Sequence, residues 1–200
     1  MNEENHPEKK IAIFKATLSL IAKNGFHESP TSKIAEEAGV GVGTIYRYFE
    51  NKDDLINELF KYVETEMVDS ILKDYNPDTP VHEQFINICK RYIQFAVENP
   101  RASSYFEQYI DSPYGSVMRK EKFYEQGETV SEQILPYPFY TLFNSAKKQG
   151  IIKDLPNSIL FVLINGALTH FIRDIRIGFI DYNDEMVNRV VEACWGAVEI

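Results

Sequence analysis

The apolar positions are spaced for helices from the start of the chain. Ile11, Phe14, Leu18 and Ile21 follow one another at intervals of three and four, which is one face of an amphipathic helix. Asn24-Gly25 supplies its stop signal. Ser29-Pro30 reads as an N-cap followed by proline at the first helical position. It opens a short helix over 30–38 with Ile34, Ala35 and Ala38 on one side, closed by Gly39. A second short helix is expected over 42–49. Asn51 and Asp54 then provide a cap and an acidic third position for a long helix. Its stripe is Leu55, Ile56, Leu59, Phe60, Val63, Met67, Ile71 and Leu72, and it ends near Tyr75-Asn76-Pro77.

Thr79-Pro80 and Ser112-Pro113 repeat the cap-then-proline signal and predict helices over 80–98 and 113–126. Asn99-Pro100 separates the first of these from a short helix running through Tyr109. Further helices are expected from Phe139 to Lys148, closed by Gly150, and over 156–179 and 183–200. No stretch shows strand alternation. The expected fold is all-α, with an N-terminal three-helix domain over 1–54 and a helical bundle over 55–200.

The two short helices, joined by a turn containing Gly39 and Gly41, form a helix-turn-helix pattern. Such a pair needs small residues where the helices cross, here Ala35 and Ala38, and a left-handed turn, here Gly39. Val40 and Ile45 are the apolar plugs, and Ile34 and Phe49 belong to the core. The second helix is then free to present polar and aromatic side chains to a groove. The Glu36-Glu37 pair reads as a solvated face.

The residues in and around this pattern are unusually dense in a known signature. Gly25-Phe26, Ile34 to Val40 (IAEEAGV), Gly43 to Phe49 (GTIYRYF) and Asn51 to Leu55 (NKDDL) together resemble the TetR family of bacterial transcription regulators. The likeness covers about the first quarter of the chain. It implies a DNA-binding helix-turn-helix followed by a ligand-binding and dimerisation bundle. By position it implies that Thr31 and Ser32 touch phosphate or a base edge. It places Val42, Gly43, Thr44, Tyr46, Arg47 and Tyr48 on the recognition helix. Thr44, Tyr46 and Tyr48 would bond phosphate through their hydroxyls, although Tyr48 reads equally well as core. Arg47 would read a guanine or pair with phosphate. Lys52 would clamp a phosphate beside a helix N-terminus. Gly41 and Val42 depart from the family, which usually carries polar residues at those positions.

Composition narrows the alternatives. Hydrophobic residues make up 44% and charged residues 26%, as in an ordinary globular protein. The net charge of −9 argues against non-specific nucleic-acid binding, and the first 60 residues carry seven Lys and Arg against ten Asp and Glu. DNA contact must therefore rest on a local face. Cys89 and Cys194 have no metal-ligand spacing and are expected to be reduced thiols. His6, His27, His82 and His170 have no partner at motif spacing, and no phosphate loop or nucleophile elbow is present. No enzyme activity, metal or cofactor is expected. No signal peptide is read at the start, and the apolar run 159–172 is broken by Asn165, Gly166, Thr169 and His170, too short and polar for a bilayer. A cytoplasmic protein without membrane contact is expected.

In the C-terminal part, Val187, Val190, Val191, Cys194, Trp195 and Val198 make an apolar stripe too broad for one small domain to cover. The last two helices are therefore expected to pair with a second copy, as the family does. A homodimer would set two recognition helices about 34 Å apart on a near-palindrome. The middle of the chain is rich in aromatics, which pack a core or line a pocket. Val63, Met67, Ile71, Tyr92, Tyr105, Tyr109, Tyr124, Asn165 and Thr169 are the candidate ligand contacts, Asn165 and Thr169 reading equally well as interface residues, and His170 is assigned to the interface. The ligand would be a small apolar or aromatic effector that releases a repressor from its operator. The alternative is the same fold answering to a protein partner or to no ligand.

Overall fold

The computed structural model describes residues 7–73, 75–120 and 138–200. Among them are ten helices: α1 (Pro7–Asn24), α2 (Thr31–Glu37), α3 (Val42–Tyr48), α4 (Lys52–Leu72), α5 (Val81–Glu98), α6 (Pro100–Ile110), α7 (Pro113–Arg119), α8 (Pro138–Lys148), α9 (Asn157–Arg176) and α10 (Asp184–Val198). The one extended pairing among the described residues is an isolated antiparallel bridge between Ile152 and Glu199. The all-α reading holds. The predicted helix over 113–126 is seen as far as α7, and the rest of it lies outside the described residues.

Local signals explain most helix boundaries. Asn51 Oδ1 accepts the Asp54 amide at 2.9 Å, and the Asp54 carboxylate accepts the Glu50 amide at 2.9 Å, closing the start of α4. Asn183 Oδ1 accepts the Met186 amide at 2.9 Å and starts α10. Gly178, at φ +79°, stops α9 three residues short of the expected Phe179. The Phe179 amide reaches Asp174 O and the Gly178 amide reaches Ile175 O, a left-handed cap that consumes two terminal carbonyls.

The expected caps Ser29 and Thr79 act differently. Neither caps the following helix. Ser29 Oγ donates back to Gly25 O at 2.8 Å and Thr79 Oγ1 to Asn76 O at 2.9 Å. Prolines 30 and 80 occupy the boundary positions of α2 and α5 without a side-chain cap. Each hydroxyl bonds a carbonyl of the preceding turn instead.

Packing divides the chain into two compact units, and they do not follow chain order. The first comprises residues up to Glu64 together with Arg101–Val117; the second comprises Thr65–Pro100 and the residues from Met118 on. The boundary expected at 54/55 falls inside the first unit. Here α1 packs on α2 and α2 on α3. Ile13, Phe14, Ile21, Ile34, Ala35, Ile45, Phe49, Leu55, Ile56 and Leu59 are buried, with the Phe14 and Phe49 rings 5.6 Å apart. Val40, expected as a plug, is only half-buried, because it follows the turn and leaves the plugging to Ile45.

In the second unit α5 packs against α8, α9 and α10. Phe85, Ile88, Cys89 and Ile93 of α5 are buried, and the Phe85 ring meets Trp195 at 5.2 Å. This corrects the expectation for α10. Val187, Val191, Cys194, Trp195 and Val198 are already buried within the chain, and Val190 is half-buried. The apolar residues left uncovered lie on α9, where Ile159, Val162 and Leu163 are 44%, 49% and 46% exposed. Among the described residues α9 is the helix long and apolar enough, by length and composition, to cross a membrane. It is longer than the run 159–172 suggested. Leu160, Ile164, Leu168, Phe171 and Ile172 are its buried residues, so it serves as a core helix with one open face.

Candidate nucleic-acid interface

The helix pair α2–α3 is built around one tight turn. Gly39 sits at φ +66°, its amide bonds Glu36 O at 3.1 Å, and the Val40 amide bonds Ala35 O at 2.9 Å. This ends α2 in a left-handed cap that a residue with a Cβ adopts only at a cost. Gly41 has φ −74°, an ordinary value, so its lack of a side chain is not required by the turn.

The two short helices sort their residues cleanly. Ile34, Ala35, Ile45 and Phe49 are buried, while Ser32, Val42, Gly43, Tyr46 and Arg47 are exposed. Thr31, Thr44 and Tyr48 are half-buried. The Tyr46 hydroxyl lies 3.2 Å from Thr31 Oγ1, so the first residue of α2 and the middle of α3 share one hydrogen bond on the outer surface. Glu36 and Glu37 are exposed, as their reading as a solvated face requires.

Lys52 is held from within. Its Nζ donates to Phe26 O at 2.5 Å, tying the start of α4 to the turn after α1. Burial holds its ammonium below the usual lysine range, partly offset by the neighbouring Asp53 carboxylate. Lys52 therefore braces the motif, whatever else its remaining protons contact.

Three tyrosines of α6 and α7 brace it further. Tyr105 Oη donates to Ile56 O at 2.6 Å, Tyr109 Oη to Asn57 Oδ1 at 2.8 Å, and Tyr114 Oη to Asp53 Oδ1 at 2.6 Å. These acceptors occupy the first two turns of α4. Phe26 packs against both Tyr105 and Tyr114, and Phe60 stacks on Tyr109 with ring centroids 4.0 Å apart. Burial drives the Tyr105 phenol pKa far up. Burial, with the bond to Asp53 second, pushes that of Tyr114 up to about 12. Tyr114 and Asn57 as braces were not visible in the sequence, since their partners are dozens of residues away.

Two family matches cover this chain. Residues 13–59 match the family described as bacterial regulatory proteins, tetR family. Residues 80–199 match the family described as tetracyclin repressor-like, C-terminal domain. The chain belongs to the TetR family. It is a helix-turn-helix transcription regulator that binds DNA through α2 and α3, in a family of regulators rather than enzymes. An uncharacterised HTH-type transcriptional regulator from Haemophilus influenzae is 28% identical over 187 residues, 94% of each chain. A crystal structure of a TetR-family regulator from the same organism superposes with a TM-score of 0.81 at 27% identity, covering 99% of this chain and 100% of that one. The fatty acid metabolism regulator protein of Bacillus subtilis is 36% identical over 84 residues, 42% of this chain and 43% of the relative.

The candidate ligand residues of this TetR-family chain fall in both units. Val63, Tyr105 and Tyr109 belong to the first unit, while Met67, Ile71, Tyr92, Asn165 and Thr169 belong to the second. Tyr124 lies outside the described residues. The Tyr105 and Tyr109 hydroxyls are engaged by α4. In the second unit Tyr92 Oη donates to Asn165 Oδ1 at 3.4 Å, a long bond. Thr169 Oγ1 donates to Asn165 O at 2.7 Å, and His170 Nδ1 lies 3.0 Å from Gly166 O, so α9 satisfies these groups with its own backbone. His170 is exposed on α9. Among the described residues, no group of three or more His, Cys, Asp or Glu side chains is placed to hold a metal. Cys89 and Cys194 are free and buried, and burial raises both thiols.

Proposed function

We propose that this regulator acts in the bacterial cytoplasm as a homodimeric repressor, holding a near-palindromic operator through Thr31, Ser32, Val42, Gly43, Thr44, Tyr46, Arg47, Tyr48 and Lys52. The observation that carries the reading is the segregation on α2–α3. The residues that must be core are buried, and Val42, Tyr46 and Arg47 project from the opposite face. A net charge of −9 means that the local face, and not the whole molecule, supplies the attraction.

Dimerisation through the last two helices is supported by the open face of α9. Ile159, Val162 and Leu163 are exposed there, and α10 exposes the small residues Ala193, Gly196 and Ala197 beside it in the same unit. The effector is read as a small apolar or aromatic molecule held in the second unit by Met67, Ile71, Tyr92, Asn165 or Thr169. Binding there would act on the DNA-reading unit through α4, which continues from one unit into the other. The alternative, a regulator that answers to a protein partner or to no ligand, gains weight from Tyr105 and Tyr109, whose hydroxyls are spent on α4.

The test is selection of genomic fragments by the purified protein, followed by footprinting. Two protected half-sites about one helical turn apart are expected. A Leu163→Glu variant is expected to run as a monomer in light scattering and to lose operator affinity. Failure to protect any duplex at low salt, or protection of a single half-site by an intact monomer, refutes the reading.

A further inference from the structure

The outward face of α3 is unusual for a surface meant to read base edges, because it is mostly apolar. Val42 and Tyr46 stand one turn apart on it and are 39% and 51% exposed. The glycines on either side of Val42 are exposed and have nothing within 4 Å of where a Cβ would stand, so the backbone flanking the valine is open. The Tyr46 hydroxyl is paired with Thr31 Oγ1. Arg47 is the one charged side chain on the helix.

We propose that Val42 is a specificity-determining residue that reads the 5-methyl group of a thymine in each operator half-site. The argument is one of matching chemistry. Val42 has no donor or acceptor, and the thymine methyl is the only apolar feature on the major-groove edges of the four bases. Set against the acceptors of adenine or guanine, or the amino group of cytosine, Val42 would strip water and return no hydrogen bond. Against thymine it buries two apolar groups together. Gly41 and Gly43 let the backbone approach closely enough for the contact. The inference rests on α3 being the DNA-reading helix, and it adds which base that helix selects and how.

The test uses the full-length protein and a duplex selected by it from a randomised pool. Each thymine of the bound site is replaced singly by deoxyuridine, which removes the methyl group and nothing else. At one thymine per half-site the dissociation constant is expected to rise about fourfold, the effect of one buried methyl-sized group. In Val42→Ser the same replacement is expected to change nothing, while the variant's melting temperature matches that of the parent because the side chain is exposed. The inference is overturned if no thymine responds, or if the response persists in Val42→Ser. Failure to select any duplex would instead sink the DNA-reading assignment of α3 itself.

Discussion

The tyrosine hydroxyls of α6–α7 in the first unit and the polar residues of α9 in the second are used in opposite ways. In the first, hydroxyls reach across elements: Tyr105, Tyr109 and Tyr114 of α6–α7 bond Ile56, Asn57 and Asp53 of α4, over sequence separations of 49, 52 and 61 residues. In the second, the polar residues of α9 turn inward on their own helix, Thr169 to Asn165 O and His170 to Gly166 O. A cross-element hydrogen bond fixes the orientation of two helices, whereas an intrahelical one fixes almost nothing beyond its own turn. The first unit ties α4 to α6–α7 with three tyrosine bonds of 2.6–2.8 Å, whereas the cross-element bonds of the second, Tyr92 to Asn165 and His82 to Glu192, are long or exposed, and its core is the apolar packing of α5 against α8, α9 and α10. Directional bonds suit a motif whose two short helices must meet a groove in one geometry.

This contrast is open to direct attack. Tyr105→Phe removes the deepest of the bonds while Ile56 O stays in the α4 backbone ladder, so chemical denaturation is expected to show a loss of about 0.5–1.5 kcal/mol. A change near zero would mean that the tyrosines merely fill space. Thr169→Val keeps the shape and deletes a hydroxyl that only duplicates backbone bonding. A shift within about 0.5 kcal/mol is expected, and a larger one would show that α9 depends on that group for more than its own turn. The smallest effect is in pH. Tyr114 has its pKa raised in the folded state, so the unfolded chain loses that proton first. Stability contributed by this group is complete below pH 10 and falls as pH rises toward about 12. Tyr114→Phe is expected to flatten the stability profile in that window, and an unchanged slope would remove the Asp53 bond from the account.

Much of the fold was legible because its signals are short. The Asn51–Asp54 cap, the Gly39 turn and the three-four spacing of Ile11, Phe14, Leu18 and Ile21 each act within about four residues. The DNA-binding motif is built entirely from such signals, so its core and outward residues were separable beforehand. Ser29 and Thr79 were misjudged because a hydroxyl before a proline has two carbonyls and amides within reach, and the choice between them depends on how the preceding turn closes. The bond from Lys52 to Phe26 O spans 26 residues, so no local signal in the sequence announces it.

The sequence by itself determined the ten-helix alphabet, the helix-turn-helix and its family, since periodicity, caps and motif residues are local and survive without tertiary context. Only the tertiary structure decided that α6 and α7 join the DNA-reading unit, that the α10 stripe is covered by its own chain, and that the uncovered apolar face lies on α9. A stripe states that a face must be buried; it carries no information on which helix buries it. Every amphipathic helix offers much the same apolar surface, and the choice among partners is made by shape and by the few hydroxyls that find acceptors far along the chain.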